Sequence, residues 1–320
     1  MTNVKSGLKG IERLRKGKLS HFSWWRYKVV RICTYILLID LAFVFLYPFL
    51  YMIITSVKTN QDLLDSTVQW IPRQIHLKNY SLAYNALNLA KTAVTSLIYT
   101  VVCTLGHLIS CSFIAYGFAR YRFPGKKILF GILLLMIIIP TPTLIAPMYI
   151  QFSNLNWLNT YLPVTVPTFF GFGLRGGLFI FIFRQFFHGL PRELEDVARV
   201  DGCTFIGTYF RIVLPVAKSV FLVNFVLSVV WHWNDYYEPG IYFGMNPPLS
   251  VALNAMSDLL NSPNMLENLM SQMGIIDTEA IINNAVFMAA SFITILPLLI
   301  MYVFVQKHFM QGIERTGLIE

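Results

Sequence analysis

Long apolar stretches alternate with polar segments along the whole chain. They run near Val29 to Val57, Leu89 to Ala119, Ile128 to Phe152, Leu162 to Phe187, Ile212 to Tyr236 and Ile282 to Val305. A helix needs about 20 apolar residues to cross a hydrocarbon core, so each stretch is a candidate crossing. The third carries Pro140, Pro142 and Pro147, which predict a kink. The fourth is interrupted by the glycine-rich run Gly171–Gly177, where Arg175 sits among Gly171, Gly173, Gly176 and Gly177. Such a run predicts a bent or unwound helix, tolerated at membrane depth where it lines a cavity. The pattern therefore predicts an all-α membrane protein with six transmembrane helices. A basic arm covers residues 1–28, a six-span body 29–305 and a short tail 306–320. No repeat at a solenoid period is visible.

Composition narrows the class. Apolar residues make up 56% of the 320 and charged residues 13%, with a mean hydropathy of +0.58. A soluble domain carries about 25% charged residues. An ordinary cytosolic enzyme, a disordered tail and a soluble nucleic-acid binder are excluded. The formal charge of +9 comes from blocks beside the apolar stretches. Nine Lys and Arg precede or open the first stretch, and Arg120, Arg122, Lys126 and Lys127 share one loop with the turn residues Pro124 and Gly125. Counted over alternate loops, 20 of the 25 basic residues fall on one side and four on the other. The positive-inside bias then predicts both termini in the cytoplasm, with loops 58–88 and 237–281 outside. The first apolar run exceeds the roughly 7–15 residues of a signal-peptide core and is expected to be retained. Cys33, Cys103, Cys111 and Cys203 form no CxxC pattern. They are expected to be buried small hydrophobes, with neither a disulfide nor a zinc site.

The segment Leu190–Ser219, LPRELEDVARVDGCTFIGTYFRIVLPVAKS, lies on the cytoplasmic side by that charge count. Pro191 suits a first helical position. Glu193, Glu195 and Asp196 fall in the first turns, where the helix dipole favours acids. Leu194, Val197 and Ala198 share a face. Asp201 and Gly202 should break the helix, Asp201 capping the next one and Gly202 adopting a left-handed backbone. A second helix is expected from Thr204 to Val213, ahead of Leu214 and Pro215. This helix–break–helix knob has the form of an object that fits a groove on another protein. The alternative is a helix lying on lipid, which its acidic face disfavours.

These residues resemble the EAA loop of ABC importer permeases: EAA, three residues, Gly, nine residues, Ile, one residue, Leu-Pro. Asp196, Val197 and Ala198 stand for EAA, with Gly202 and then Ile212, Leu214 and Pro215 at the matching spacing. The preceding Leu190-Pro191-Arg192-Glu193-Leu194, Asp201, and Trp233-Asn234-Asp235 are similar to the carbohydrate branch, the maltose-type inner-membrane permeases. Departures from the pattern are Asp196 for Glu, Val197 for Ala, Cys203 for a common Ala and Ser219 for a common Pro. The resemblance implies the type I ABC importer permease architecture in a bacterial cell membrane, as a multi-pass protein among membrane lipid. It implies a second homologous permease subunit, an extracytoplasmic solute-binding protein and two ATP-binding subunits that hold ATP and Mg. Those subunits would grip loop 190–215 through Glu193, Glu195, Asp196, Val197, Ala198, Arg199, Asp201, Gly202, Leu214 and Pro215. The implied cargo is a sugar, an oligosaccharide or a related compound.

The chain has no GxxxxGKS/T phosphate loop, since Gly125-Lys126-Lys127 lacks the upstream glycine and the hydroxyl. It is therefore expected to be no enzyme, to hold no cofactor of its own and to bind no nucleic acid, with hydrolysis supplied by the partner subunits. The six histidines form no HExxH pair, and the adjacent Glu195 and Asp196 point to different helix faces. Intramembrane polar residues are costly and often functional: Asp40, His107, Arg175 and Asp235 qualify. Candidates for a sugar path are Arg175, Asn224, Ser228, Trp231, Trp233, Asn234 and Asp235, for which helix packing or an interfacial aromatic belt is the alternative. An ion-gradient-driven transporter or a channel subunit is the competing class. It is weakened by the lack of an inverted repeat and of paired intramembrane acids beyond Asp40.

Overall fold

The computed structural model describes the backbone of residues 3–173, 175–244, 246–262 and 283–316, and within them side chains at 25 and 27–307. Among the described residues regular structure is helical throughout. The helix α1 spans Asn3–Ser56, and its apolar part, Tyr27–Ser56, has none of its most apolar window buried. That surface is natural where lipid is the solvent. Asp40 and Cys33 both lie on this exposed helix.

Outside it come the short α2 (Asn60–Leu64) and α3 (Lys78–Ala86). Thr59 and Asp62 close a reciprocal capping box at the start of α2. The buried Lys58 ammonium donates to the carbonyls of Val68 and Gln69, each at 2.8 Å. Asn79 donates to the carbonyls of Ser56 and Lys58, each at 2.9 Å. The segment after the first crossing is therefore built, not a slack linker.

The centre of the molecule is α4 (Leu89–Arg120), 32 residues long and half buried. At 1.5 Å per residue it extends about 48 Å. It buries an unusual run of small polar groups, among them Thr92, Thr95, Ser96, Thr100, Thr104, Ser110 and Ser112. Small hydroxylated residues let membrane helices approach closely and bond across the contact. Gly106 shows how close: a Cβ there would stand 2.2 Å from Thr168 Oγ1.

The third apolar stretch is not one kinked helix. It forms α5 (Lys126–Ile138) and α6 (Thr141–Asn154), set at 102° to each other. Pro140 caps α6 in extended backbone, and Pro142 comes at its start. Ile139, before Pro140, is driven out of the helical region as well. With 13 and 14 residues, each half rises only about 20 Å, short of the roughly 30 Å core.

The fourth stretch is broken as its glycines suggested. Helix α7 (Leu162–Thr165) runs into a 3-10 turn, Val166–Phe170, and α8 (Gly176–Gly189) resumes after the gap. The knob comprises α9 (Glu193–Val200), α10 (Phe205–Thr208), a π turn over Tyr209–Val213 and α11 (Leu214–Val216). It meets α12 (Lys218–Asn234) at 80°. The fifth apolar stretch is therefore bent: Ile212–Val216 continue the knob, and the straight helix starts at Lys218. Then come α13 (Tyr237–Tyr242), α14 (Leu249–Leu260) and α15 (Asn284–Thr316).

Among the described residues, three helices are long and apolar enough to cross a membrane, and up to five such spans result if each bent pair counts as one. The remaining stretch, 162–187, is in pieces. The core between α4, α8 and the knob gathers Cys111, Tyr116, Phe179, Phe183, Phe187 and Tyr209. Cys103 is buried in the outer core with Tyr99 and Phe243, while Cys203 is only half-buried.

Candidate functional site: a braced knob and a cavity behind the fourth crossing

The knob begins with α9, which starts at Glu193 rather than at Pro191. It ends in a Schellman motif: the Cys203 N–H donates to the Ala198 carbonyl (2.9 Å) and the Gly202 N–H to the Arg199 carbonyl (3.0 Å). Gly202 takes φ +77°, as its place in the motif requires. Asp201 closes α9; the cap of the next helix is Thr204, whose hydroxyl accepts from the Gly207 N–H at 3.2 Å. The helix is also rotated from the expected register. Glu195 and Ala198 face inward, while Leu194 and Val197 are exposed. The outer surface is therefore Glu193, Leu194, Asp196, Val197, Arg199, Val200, Asp201 and Gly202, acidic and apolar groups side by side. Arg199 sits 3.6 Å from Asp196 on that surface. Leu214 is half-buried and Pro215 exposed.

The rotation has a cause. Arg120, the last residue of α4, places Nε 2.7 Å from Glu195 Oε1, and both side chains are about nineteen-twentieths buried. Its Nη2 also donates to the carbonyls of Leu190 (2.8 Å) and Pro191 (3.2 Å). One guanidinium thus ties the end of α4 to both the entrance and the first turn of the knob. A second fastening is aromatic. Tyr116 stacks on Phe205 at 5.2 Å, and the Tyr209 hydroxyl lies 2.7 Å from Ser112 Oγ. Arg120, Tyr116 and Ser112 escaped sequence reasoning. Arg120 was visible only as one of four charges in a basic loop. That loop is crowded with cations: burial, then Arg184, Arg122 and Arg192, lowers the Lys126 ammonium below its ordinary range.

Away from the knob, the break of the fourth crossing walls a cavity of about 120 Å³, partly open to its surroundings. Phe172, Gly173, Arg175 and Gly176 line one side, α5 and α6 the other, with Glu238 and Tyr242 of α13. Arg175 heads α8 with φ +63°, an uncommon conformation for a non-glycine residue. Its guanidinium lies 5.5 Å from the Trp231 ring centroid. Burial, then the nearby Asp235, pushes the Glu238 carboxyl up to about 7.

Of the seven residues expected on a sugar path, Arg175 lines this cavity, and Trp231 supports it from α12. Asn224 and Ser228 are turned into helix packing, with bonds to the Val220 carbonyl (2.9 Å) and Thr104 Oγ1 (3.1 Å). Trp233 is buried with its indole N–H on the Thr294 carbonyl (3.0 Å). Asn234 is exposed and bonded to the Val230 carbonyl (2.7 Å). Asp235 caps α12 and joins a buried line of polar groups through Tyr99, His232 and His107 to the Phe172 carbonyl. Sequence reasoning had His107 as an intramembrane polar group, counted His232 only among six histidines without a paired motif, and missed Tyr99.

Long apolar helices, two bent helix pairs and a glycine-ended helical knob are features of a membrane-embedded subunit. The model of the family described as "Binding-protein-dependent transport system inner membrane component" matches residues 108–315. The chain belongs to this family and is a multi-pass membrane protein. It is 28% identical to the arabinooligosaccharides transport system permease protein AraQ of Bacillus subtilis, over 91% of this chain and 97% of that protein. It is 27% identical to the melibiose/raffinose/stachyose import permease protein MelC of the same organism, over 90% and 96%. Among solved structures, a chain of a bacterial ABC transporter involved in import of the acidic polysaccharide alginate shares the fold. It superposes with a TM-score of 0.73 over 88% of this chain and 97% of its own length, at 21% identity.

Proposed function

We propose that this chain is the membrane-spanning permease subunit of an ATP-driven importer for oligosaccharides or related sugars. Six crossings with both termini in the cytoplasm fit the charge asymmetry, α5–α6 and α7–α8 each serving as one broken crossing. A second permease would complete the pathway, and an extracytoplasmic binding protein would deliver solute at the outer loops. Two ATP-binding subunits, carrying ATP and Mg, would dock on residues 190–215 and hydrolyse nucleotide on this chain's behalf. The sugar class is carried by the relatives, whose names specify arabinooligosaccharides and melibiose, raffinose and stachyose.

The observation that carries the coupling role is the knob's outward face. Leu194, Asp196, Val197 and Val200 are exposed on a helix that is itself braced from within by Arg120. A rigid, partly apolar projection suits a groove on a partner protein. Movement imposed on it passes directly into α4, the longest buried strut in the body. At the other end, Arg175 and Trp231 form the proposed polar and aromatic contact for solute, with Asn234 and Asp235 at the outer end of α12. Asn224, Ser228 and Trp233 would act by fixing α12 against its neighbours.

The test is reconstitution with the ATP-binding subunits, the second permease and the binding protein in sealed vesicles. Uptake of a labelled oligosaccharide should require ATP hydrolysis and the binding protein and persist when ion gradients are collapsed. Uptake driven by an ion gradient without ATP would instead establish the secondary-transporter class.

A further inference from the structure

A continuous line of polar groups, buried at its centre and half-buried at its Asp235 and Phe172 ends, joins three parts of the fold. Tyr99 Oη on α4 lies 3.2 Å from His232 Nδ1 on α12 and 3.2 Å from Asp235 Oδ2 just beyond it. His232 Nε2 lies 3.1 Å from His107 Nδ1, back on α4. His107 Nε2 lies 3.3 Å from the Phe172 carbonyl in the fourth-crossing break. Tyr99, His107 and His232 are at most 2% exposed. The ring lies against the break: a Cβ on Gly173 or Gly176 would stand 3.8 or 3.5 Å from His107 Nε2, ordinary van der Waals contact.

The hydrogens along this line can be counted. Four links need one hydrogen each. The Phe172 carbonyl only accepts, so His107 Nε2 donates to it. With neutral rings, His107 Nδ1 then accepts from His232 Nε2, and His232 Nδ1 accepts from the Tyr99 hydroxyl. That commits the hydrogens of His107, His232 and Tyr99, and the contact between Tyr99 and Asp235 has none left. If Asp235 is ionised, Tyr99 turns its hydrogen to the carboxylate. If His232 Nδ1 then donates to Tyr99, both rings reverse and a lone pair of His107 Nε2 faces the Phe172 oxygen; if it does not, the link between Tyr99 and His232 is the one left without a hydrogen. One added proton removes the conflict. Asp235 has room for it: Oδ1 already accepts the N–H groups of Tyr237 (3.0 Å) and Glu238 (3.4 Å), leaving Oδ2 towards Tyr99.

We infer that His107 and His232 are positioning residues of the transport cycle, forming with Tyr99 and Asp235 a tie that takes up one proton to close and that holds the cavity-lining break in place. The tie runs from the outer end of α12 to the wall that carries Arg175. It therefore links the side on which a binding protein docks to the cavity. The titratable groups facing it are Cys103 on α4 and Glu238 on α13, with Tyr242 in the same cluster as Tyr99 and Cys111 lying against the break. The inference is independent of which solute is carried.

Hydrogen–deuterium exchange on the complete transporter in lipid vesicles tests it, reading peptides across residues 171–178 from pH 5.5 to 8.5 after correction for intrinsic exchange. A Glu238→Gln background removes the neighbouring carboxyl. Protection of the break should fall by about fivefold or more as pH rises, the scale of losing one buried hydrogen bond. Asp235→Asn keeps an acceptor for the two N–H groups and supplies a permanent N–H towards Tyr99. It should hold the break protected across the range and flatten the pH profile of ATP-driven uptake. His107→Phe, similar in bulk but without the donor, should leave the break unprotected at every pH. A parent and an Asp235→Asn variant with the same exchange profile, or a parent with none of the pH dependence, would overturn the tie. If His107→Phe fails to assemble, the Asp235→Asn comparison decides alone.

Discussion

The Arg120–Glu195 pair offers the most direct test of how force enters this chain. Both side chains are nearly inaccessible and the Nε–Oε1 distance is 2.7 Å. Removing one partner of a buried ion pair costs about 3–5 kcal/mol, because the other charge stays buried and unpaired. For Glu195→Met the lower end applies, since Arg120 Nη2 keeps the carbonyls of Leu190 and Pro191. For Arg120→Met the upper end applies, because the Glu195 carboxylate loses its charged partner and the two carbonyls lose their donor. The cost falls on the knob, not the whole bundle, so it should appear as lost preorganisation of the dock. Every 1.4 kcal/mol is about tenfold in an equilibrium. A local loss of about 3 kcal/mol would thus weaken docking of the ATP-binding subunits by up to about a hundredfold.

The assay is binding of those subunits to the reconstituted permease pair, alongside ATPase stimulated by the loaded binding protein. Arg120→Met should be the more damaging single change. The double variant Arg120→Met/Glu195→Met removes both charges and should recover much of the loss, since an apolar pair of similar volume is often tolerated at such a site. The reasoning is refuted if either single variant docks the subunits with parental affinity and stimulated ATPase. It is refuted equally if the double variant equals the sum of the singles, because the two side chains would then not act as a unit.

Other expectations rest on single positions. Gly202→Val places a β-branched residue at φ +77°, costing at least about 1–2 kcal/mol of backbone strain. No neighbour lies within 4 Å of a Cβ there, so the fault is in the turn, and uptake should fall while ATPase activity persists; uptake equal to the parent would remove the turn from the coupling route. Gly106→Val drives a side chain into Thr168 and should lower the detergent melting temperature of the complex, overpacking typically costing about 1–3 kcal/mol. Glu238, with its carboxyl raised from 4.5 to about 7, binds its proton more tightly folded than unfolded. Its contribution to stability is full below about 4.5 and disappears as pH rises through about 7, so Glu238→Gln should flatten thermal stability between pH 5 and 8.

Long crossings were legible because length and hydropathy suffice for them: α1, α4 and α15 all lie where the apolar runs predicted. The turn at Gly202 was legible because a helix end needing a left-handed residue leaves a local mark. What stayed hidden is non-local. Three prolines near residue 140 announce a disruption, yet the same residues permit a slight kink or the observed 102° turn. Which one forms depends on what each half packs against, and α5 lies against α8 while α6 reaches the outer core. The rotation of α9 obeys the same logic. Leu194 and Val197 carry the apolar signal, but in a membrane-adjacent knob burying them is not the strongest pull. An arginine 75 residues earlier, ending a long buried helix, captures Glu195. That forces the apolar pair outward, onto the surface a partner would cover. The hydroxyl-rich sequence of α4 carries a further signal. A crossing with that many Thr and Ser faces protein on several sides. Such a helix is where partners from distant parts of the chain converge: Arg120 at the knob, and Tyr99 and His107 beside the cavity. The two places where function is proposed therefore share one helix, Arg120 as its last residue and His107 near its middle, so a displacement of α4 would be passed between them.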